Sequence, residues 1–505
     1  MADLIDELKQ NNLTPLLWQS LMGVEVETQR IDEDGELSHE PYPESLGSRQ
    51  FHPNLQTDFG ETQTEWITDP FIDDHQLMTE LQAIRAVFVR EMTSSDRLWL
   101  LSMPPALTHE DRLFVRNHFG RPNYQHYRDY LDGKFGIAHG LTTGVHINFS
   151  LAPDLVAALA QVEHVSVAKV SNRLYWRVLQ NFLKQRWLLT YLFGASPIAE
   201  KGYFSQMPSE LSHPVRSIRN SAVGFNNGGR TAISYVSLQQ HVSDLQTAIN
   251  RGELYAQMEF YGPVRIKGQA NLNDYETNGI KYLEFRVFDT NPFTPLGIDE
   301  QEVDFMRALL TYSLVTVIDG STIDQELAAA AELNNAVAMQ QPTEALSNRS
   351  AAEQLMSDMT RVLTGLGAPG KLIQAIKVYQ TQLDQPETTL AARLTNKLSD
   401  GSLTSMMRAL ANERYQTAST STISTKPLLP GTPFTPEMQA LLAAGLKAGL
   451  HIHWPNTSDS TVTFSDGEHT RTFSPTDTQL DTNMTQLFRV FPALKNNGKF
   501  GSNPG

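Results

Sequence analysis

Four short segments of the 505-residue chain carry the residue types that do metal and phosphate chemistry. They are Glu25 and Glu27 in GVEVETQRI, Asp58, Glu61 and Glu65 in TDFGETQTEWIT, His146 and Asn148 in TGVHINFSL, and Glu284 and Arg286 in KYLEFRVFD. Carboxylates crowded onto one surface repel unless a counter-charge sits among them. Hard divalent cations are the natural counter-charge, and oxygen-rich donor sets select Mg²⁺ or Mn²⁺.

Strands must position these residues, because the alternation has period 2. Val24 and Val26 oppose Glu25 and Glu27; Val145, Ile147 and Phe149 oppose His146 and Asn148; Leu283, Phe285 and Val287 oppose Glu284 and Arg286. Glu61, Gln63 and Glu65 are expected to share a face. Any one such pair equally fits the solvent side of a strand. Four segments with the same pattern point to one antiparallel sheet with a carboxylate floor.

Around these strands the pattern turns helical. Residues 1–21 read as a short amphipathic helix and 22–70 as strands and loops. A helix at 74–92 follows from Leu77, Leu81, Ile84 and Phe88, with Asp73 or Asp74 as its cap. LWLLSM at 98–103 reads as a buried strand, and Thr108 with Asp111 brackets a helix start. Helix is expected over 152–193, strand and loop over 215–290, and helix again over 298–415. The Ser/Thr/Pro-rich stretch 416–434 reads as a linker, 435–505 as a small appendage. In that appendage PEMQALLAAGLKAG reads as helix and TVTFSDGEHTRTF as a hairpin on a type I′ Asp466-Gly467 turn. The final KNNGKFGSNPG reads as disordered.

Composition narrows the class. The net charge of −16 argues against a general nucleic-acid surface, and suits a cytoplasmic enzyme. With no cysteine, disulfides, thiolate catalysis and Cys-zinc sites are excluded. MADLIDELKQ lacks a signal-peptide core, and no apolar run reaches the ~18 residues of a membrane span. Three other motifs read as structure. GLGAPGKL at 365–372 has Leu372 where a P-loop needs Ser or Thr, and helix precedes it where a strand is required. His451 and His453 read as a strand exposing two imidazoles, and His139 as a loop residue.

The chain resembles bacterial-type glutamate–cysteine ligases. The resemblance runs through Glu25-Val-Glu27-Thr-x-Arg30, Leu46-Gly-Ser48, Thr57-Asp-Phe59-x-Glu61, Glu65-x-Ile-Thr68, Gly144-Val-His-x-Asn-Phe-Ser150, Tyr191-Leu-Phe-Gly-Ala-Ser-Pro197 and Glu284-x-Arg286-x-x-Asp289-x-Asn-Pro-Phe293. It implies an α+β fold: a glutamine synthetase-like antiparallel sheet with a concave active-site face, backed by helices, over 1–415. It also implies ATP and Mg²⁺ (or Mn²⁺), with glutamate and cysteine joined through a γ-glutamyl phosphate. By position, Glu25, Glu27, Asp58, Glu65, His146 and Glu284 match metal-binding positions. Arg286 and Glu65 match catalytic ones. Arg219, Tyr127, Tyr261, Phe225 and Asn148 match substrate-binding ones. Phe225 stands where the family has a third tyrosine, and Gly140 where better-known members have a glutamine.

Those two departures keep a second acceptor amine open, and a non-catalytic nucleotide-binding homologue is the reading of a different class. The segment after the linker resembles the lead-in to the second ligase domain of bifunctional members. Roughly 70 residues are too few for a two-lobed ATP site, so γ-glutamylcysteine is the expected product and a small β-rich appendage the expected structure.

Overall fold

The computed structural model describes residues 4–227, 231–419, 427–429, 432, 434–454, 461–474 and 480–492. Seven strands form the main sheet: β1 Leu21–Ile31, β2 Leu55–Thr57, β3 Gln63–Ile67, β4 Arg97–Trp99, β5 Val145–Ser150, β6 Val264–Lys267 and β7 Tyr282–Phe288. Their order is β2-β3-β1-β5-β7-β6, with β4 also on β1, and every ladder is antiparallel.

The alternation decides which face is which. Val24, Val26, Val145, Ile147, Phe149, Leu283 and Phe285 are fully buried, each contributing about 1.5–3 kcal/mol for the large side chains. Helix Val167–Phe193 covers this face: Phe182 meets Phe285 edge-on at 4.4 Å, and Phe193 stacks on Phe288 at 5.1 Å. Helix Glu300–Val315 packs behind it through Phe305, 5.7 Å from Phe193. Helix Asp74–Glu91, capped by Asp73, places Phe88 against Trp66 of β3. The polar face lines a cavity instead.

Register matters most at β5 and β7. Val145 lies opposite Phe288 but Ile147 lies opposite Phe285, so β7 carries an extra residue across from His146. Bulges of this kind re-aim side chains beside active sites, and here the irregular stretch holds Arg286.

Several expectations shift at element ends. The start is a helix Leu4–Gln10 followed by a separate 3-10 turn Thr14–Gln19, divided at Asn12 (φ 55°) with Pro15 opening the second turn. LWLLSM is regular strand only to Trp99, because β1 pairs with β4 at Gln29–Ile31 and with β5 at Leu21–Val26. The region 215–290 also contains a helix, Leu238–Asn250, capped by Ser237 and burying His241, Leu245 and Ala248. Thr108 and Asp111 form the expected capping box. GLGAPGKL is a helix stop at Gly365, a turn through Gly367 (φ 76°), and a helix start at Gly370.

Helix Thr404–Ser419 runs past the boundary expected at 415. Beyond it lie helix Pro436–Lys447, strands β8 His451–His453, β9 Val462–Ser465 and β10 Thr470–Phe473 in the order β10-β9-β8, and helix Leu480–Val490. The hairpin turn differs from type I′: Gly467 takes the positive φ (94°) and Asp466 does not, its carboxylate accepting from the Glu468 and His469 amides instead. This unit docks on the back of helix Asp74–Glu91. Lys447 pairs with Glu91 at 2.8 Å, Trp454 Nε1 donates to Glu80 at 3.1 Å, and His451 Nδ1 lies 2.8 Å from Asp69. Most of the predicted linker and the glycine run at 228–229 lie outside the described residues, as does the expected disordered end. Among the described residues no helix is long and apolar enough to cross a membrane.

Candidate active site

The polar face of the sheet assembles the predicted floor. Glu25 and Glu27 on β1 lie in register with neighbours on both sides: Glu27 faces Glu65 of β3, and Glu25 faces His146 of β5. Asn148 faces Glu284 of β7 across the next ladder. Two clusters result, Glu25–His146–Glu284 and Glu27–Glu65–His146, each with ligand atoms within 4.8 Å of one another. They share His146, whose Nδ1 is 3.2 Å from Glu25 Oε2 and whose Nε2 is 3.6 Å from Glu27 Oε1.

The electrostatics follow from this crowding. Burial, then the Asp58 charge, pushes the Glu27 carboxyl up to about 8. Burial and the Glu25, Asp58 and Glu27 charges hold Glu65 well above the usual carboxylate range. Burial also raises Asp58. Glu284 goes the other way: burial works to raise it, but Arg286, Lys267 and Arg265 together carry it well below. Burial and Arg286 push His146 down to about 4, leaving a neutral imidazole at pH 7. Its Nε2 is buried without a hydrogen-bond partner among the described residues. A neutral nitrogen and carboxylate oxygens aimed at one point form a donor set that fits Mg²⁺ or Mn²⁺.

The floor lines a cavity of about 280 Å³, whose walls include Tyr127, Phe225 and Tyr261. Tyr127 and Tyr261 are hydrogen-bonded through their hydroxyls, and burial pushes the Tyr261 hydroxyl up to about 12. Phe225 lies 4.6 Å from Tyr261 and stacks on His139 at 4.6 Å, so His139 is part of the aromatic wall. Gly140 ends a short helix against Phe59; a Cβ there would meet the Phe59 ring at 2.5 Å, which leaves no room for a longer side chain.

A second cavity of about 480 Å³ adjoins the first. Arg286, Phe225 and Tyr261 line both, and Arg219 and Asn334 line only the second. Arg219 donates to the Phe288 carbonyl at 3.1 Å and lies 3.9 Å from Asp289. Asp289 is held by the Ala195 amide and the Ser196 and Ser217 hydroxyls at 2.7–2.8 Å. The Gly-Ala-Ser turn thus mounts Arg219. Gly144 makes room for it: a Cβ would lie 2.2 Å from the guanidinium.

Two expected residues sit elsewhere. Glu61 is off the floor, because β3 begins only at Gln63; its carboxylate accepts from the Tyr42 amide at 2.9 Å and pairs with Arg49 at 3.0 Å. Asn148 lines neither cavity and donates to Glu25 Oε1 at 2.7 Å, orienting that carboxylate. Two floor residues are new. Arg265 and Lys267 on β6 line the first cavity and reach Glu284 at 3.7 and 2.7 Å. The signal for them was the alternation in Val264-Arg265-Ile266-Lys267, a strand of only four residues.

Comparison with known proteins agrees with this geometry. A family model described as glutamate-cysteine ligase matches residues 5–337. The bifunctional glutathione biosynthesis protein of Streptococcus agalactiae serotype V is 37% identical over 403 residues, covering 79% of this chain and 53% of that protein. The counterpart from Pasteurella multocida is 30% identical over 466 residues, covering 92% and 61%. A crystal structure of a bifunctional glutathione synthetase from Pasteurella multocida superposes with a TM-score of 0.80 at 28% identity, over 92% of this chain and 60% of that one. A glutamate–cysteine ligase from Francisella tularensis, solved in complex with AMP, shares the fold with a TM-score of 0.71 at 24% identity, over 85% and 92%. The chain spans about half the length of the streptococcal relative.

Proposed function

The chain belongs to the glutamate–cysteine ligase family, and on that premise we propose that it joins the γ-carboxylate of glutamate to the amine of cysteine with ATP, giving γ-glutamylcysteine, the first step of glutathione biosynthesis. The observation that carries this reading is the pair of carboxylate–imidazole clusters sharing His146 beside a buried guanidinium. Metal ions bound by Glu25, His146 and Glu284, and by Glu27 and Glu65 with Asp58 adjacent, would neutralise phosphate oxygens and polarise the transferring phosphoryl group.

The chain's own residues divide the remaining work. Arg219, fixed by Asp289, offers a buried positive charge to a glutamate carboxylate in the second cavity. Arg286, common to both cavities, stands where the γ-carboxylate would meet the phosphoryl group. Its planar donors are oriented by Glu284 and so pre-aimed at developing negative charge. Tyr127, Tyr261 and Phe225 wall the space for the acceptor and keep water from an acyl phosphate. The cytoplasm, where ATP and a reduced thiol coexist, is the fitting compartment. We take residues 1–415 as the catalytic unit and 435–505 as an appendage to it, supported by the lining of both cavities falling between Glu25 and Asn335.

Purified protein given ATP, Mg²⁺, glutamate and cysteine should release phosphate and form γ-glutamylcysteine, detected by mass. No phosphate release with any amine would refute the reading in favour of a non-catalytic homologue. Phe225 supports one broader reading, in which other small amines also serve. A wall without that hydroxyl separates a thiol from a methyl group by only about 1–3 kcal/mol, so 2-aminobutyrate should be a slower substrate.

A further inference from the structure

The floor has more cations on one carboxylate than its chemistry requires. Arg286, Lys267 and Arg265 all converge on Glu284. Two of them are committed. Arg265 donates to the Phe260 carbonyl at 2.9 Å and the Met258 carbonyl at 2.5 Å. Arg286 bonds Glu284 at Oε1 and its chain is fixed in β7. Among the described residues Lys267 has no other partner of this kind: its ammonium lies 2.7 Å from Glu284 Oε2, with the side chain about a third exposed.

Its position is at a boundary. Lys267 ends β6, an edge strand, and lines both the inner cavity and an outer groove of about 920 Å³ that runs along Gly268–Tyr275. Glu284 belongs to the Glu25–His146–Glu284 cluster. A divalent cation seated in that cluster competes with Lys267 for Glu284. A lysine ammonium is a compact charge on a flexible stem, free to leave one anion for another a few ångströms away. The anion that arrives with the cation is a nucleotide phosphate.

We propose that Lys267 is an exchangeable counter-ion, paired with Glu284 until a divalent cation enters and then transferred to the phosphates of the bound nucleotide at the mouth of the outer groove. Lys267 is thus a positioning residue for the triphosphate, and the inference rests on the ATP-dependent reading above. It makes a paired demand that a structural role would not: losing Lys267 must help the cation and hurt the nucleotide.

The test is Lys267→Met, which keeps the apolar stem, with Lys267→Arg as the charge-retaining control. Mn²⁺ binding without nucleotide is followed by electron paramagnetic resonance, and ATP binding at saturating Mg²⁺ by calorimetry. Lys267→Met should bind Mn²⁺ about tenfold more tightly, the low end of what an adjacent opposite charge does to the proton affinity of a carboxylate. It should bind ATP at least about tenfold more weakly, and Lys267→Arg should stay near wild type for Mn²⁺. Unchanged or weaker Mn²⁺ binding in Lys267→Met overturns the proposal, as does unchanged ATP binding. A wild-type chain that binds Mn²⁺ but not ATP would overturn the function reading, and would remove the second half of the exchange with it.

Discussion

Glu27→Gln should make the metal-free protein more stable and the enzyme inactive. Glu27 is buried, cross-strand from Glu65, and pushed up to about 8 by burial and by Asp58. Below pH 4.5 the folded and unfolded chains both hold its proton, and the group costs nothing. Between 4.5 and about 8 the unfolded chain ionises while the folded one does not, so stability falls as pH rises and levels off above 8. At ~1.4 kcal/mol per tenfold change in proton affinity, the ceiling on that loss is about 5 kcal/mol. Water entry and proton sharing with Glu65 and Asp58 bring the expected loss to about 1–2 kcal/mol. Glutamine keeps an oxygen for the Gly144 amide, which Glu27 accepts at 3.1 Å, so the substitution removes the charge with little else. In EDTA at pH 8 to 9 the variant should melt about 1–2 °C above wild type, and the gain should fade toward pH 4.5. Mg²⁺ should narrow the gap by stabilising wild type more than the variant, while phosphate release by the variant is lost. A variant less stable than wild type at pH 8 in EDTA, or one retaining near-wild-type turnover at saturating Mg²⁺, would refute the reasoning.

Three further perturbations separate the roles of the remaining residues. Arg286→Lys loses the planar fork and should lower kcat by about 10²-fold, with a smaller rise in the glutamate KM; steady-state kinetics would show the reverse split if Arg286 only bound substrate. Gly144→Ala puts a methyl group 2.2 Å from the Arg219 guanidinium, so the glutamate KM should rise at least about tenfold while circular dichroism stays unchanged. Asp69 holds the His451 imidazole above its usual range by hydrogen bonding. That contribution is fully present below pH 6.5 and is lost as pH rises through the folded value, so His451→Gln should loosen the appendage to limited proteolysis at pH 6 and make little difference at pH 9.

The floor was legible because its strands are long enough for alternation to show, and each polar position opposes a residue such as Val26, Ile147 or Phe285 that is fully buried. Glu61 defeated the same rule. The alternation continues through it, but the Gly60 turn ends the strand and turns the carboxylate to Tyr42 and Arg49. Arg265 and Lys267 were hidden by brevity, since four residues after a proline carry little period. Helix Leu238–Asn250 was hidden by polarity: its buried stripe includes His241 and only two apolar residues, Leu245 and Ala248. The bulge opposite His146 depends on how β5 and β7 meet, and no local sequence signal records it.

Strand order also sets a timetable for biosynthesis. β1 leaves the ribosome first yet lies inside the sheet, with β3 on one flank and β5 on the other. β3 and helix Asp74–Glu91 follow soon after and can cover part of its apolar face. On the other flank β4 reaches only Gln29–Ile31, and the Leu21–Val26 stretch waits for roughly 120 further residues, about 6–24 s at ~5–20 residues per second. During that interval β1 presents an unpaired edge, the kind of surface on which strands mispair. The Glu25–His146–Glu284 cluster needs β7 as well, more than half the chain later. On the proposed function, a cation that requires all three ligands would recognise only a finished sheet, and metal loading would mark the end of folding as well as the start of chemistry.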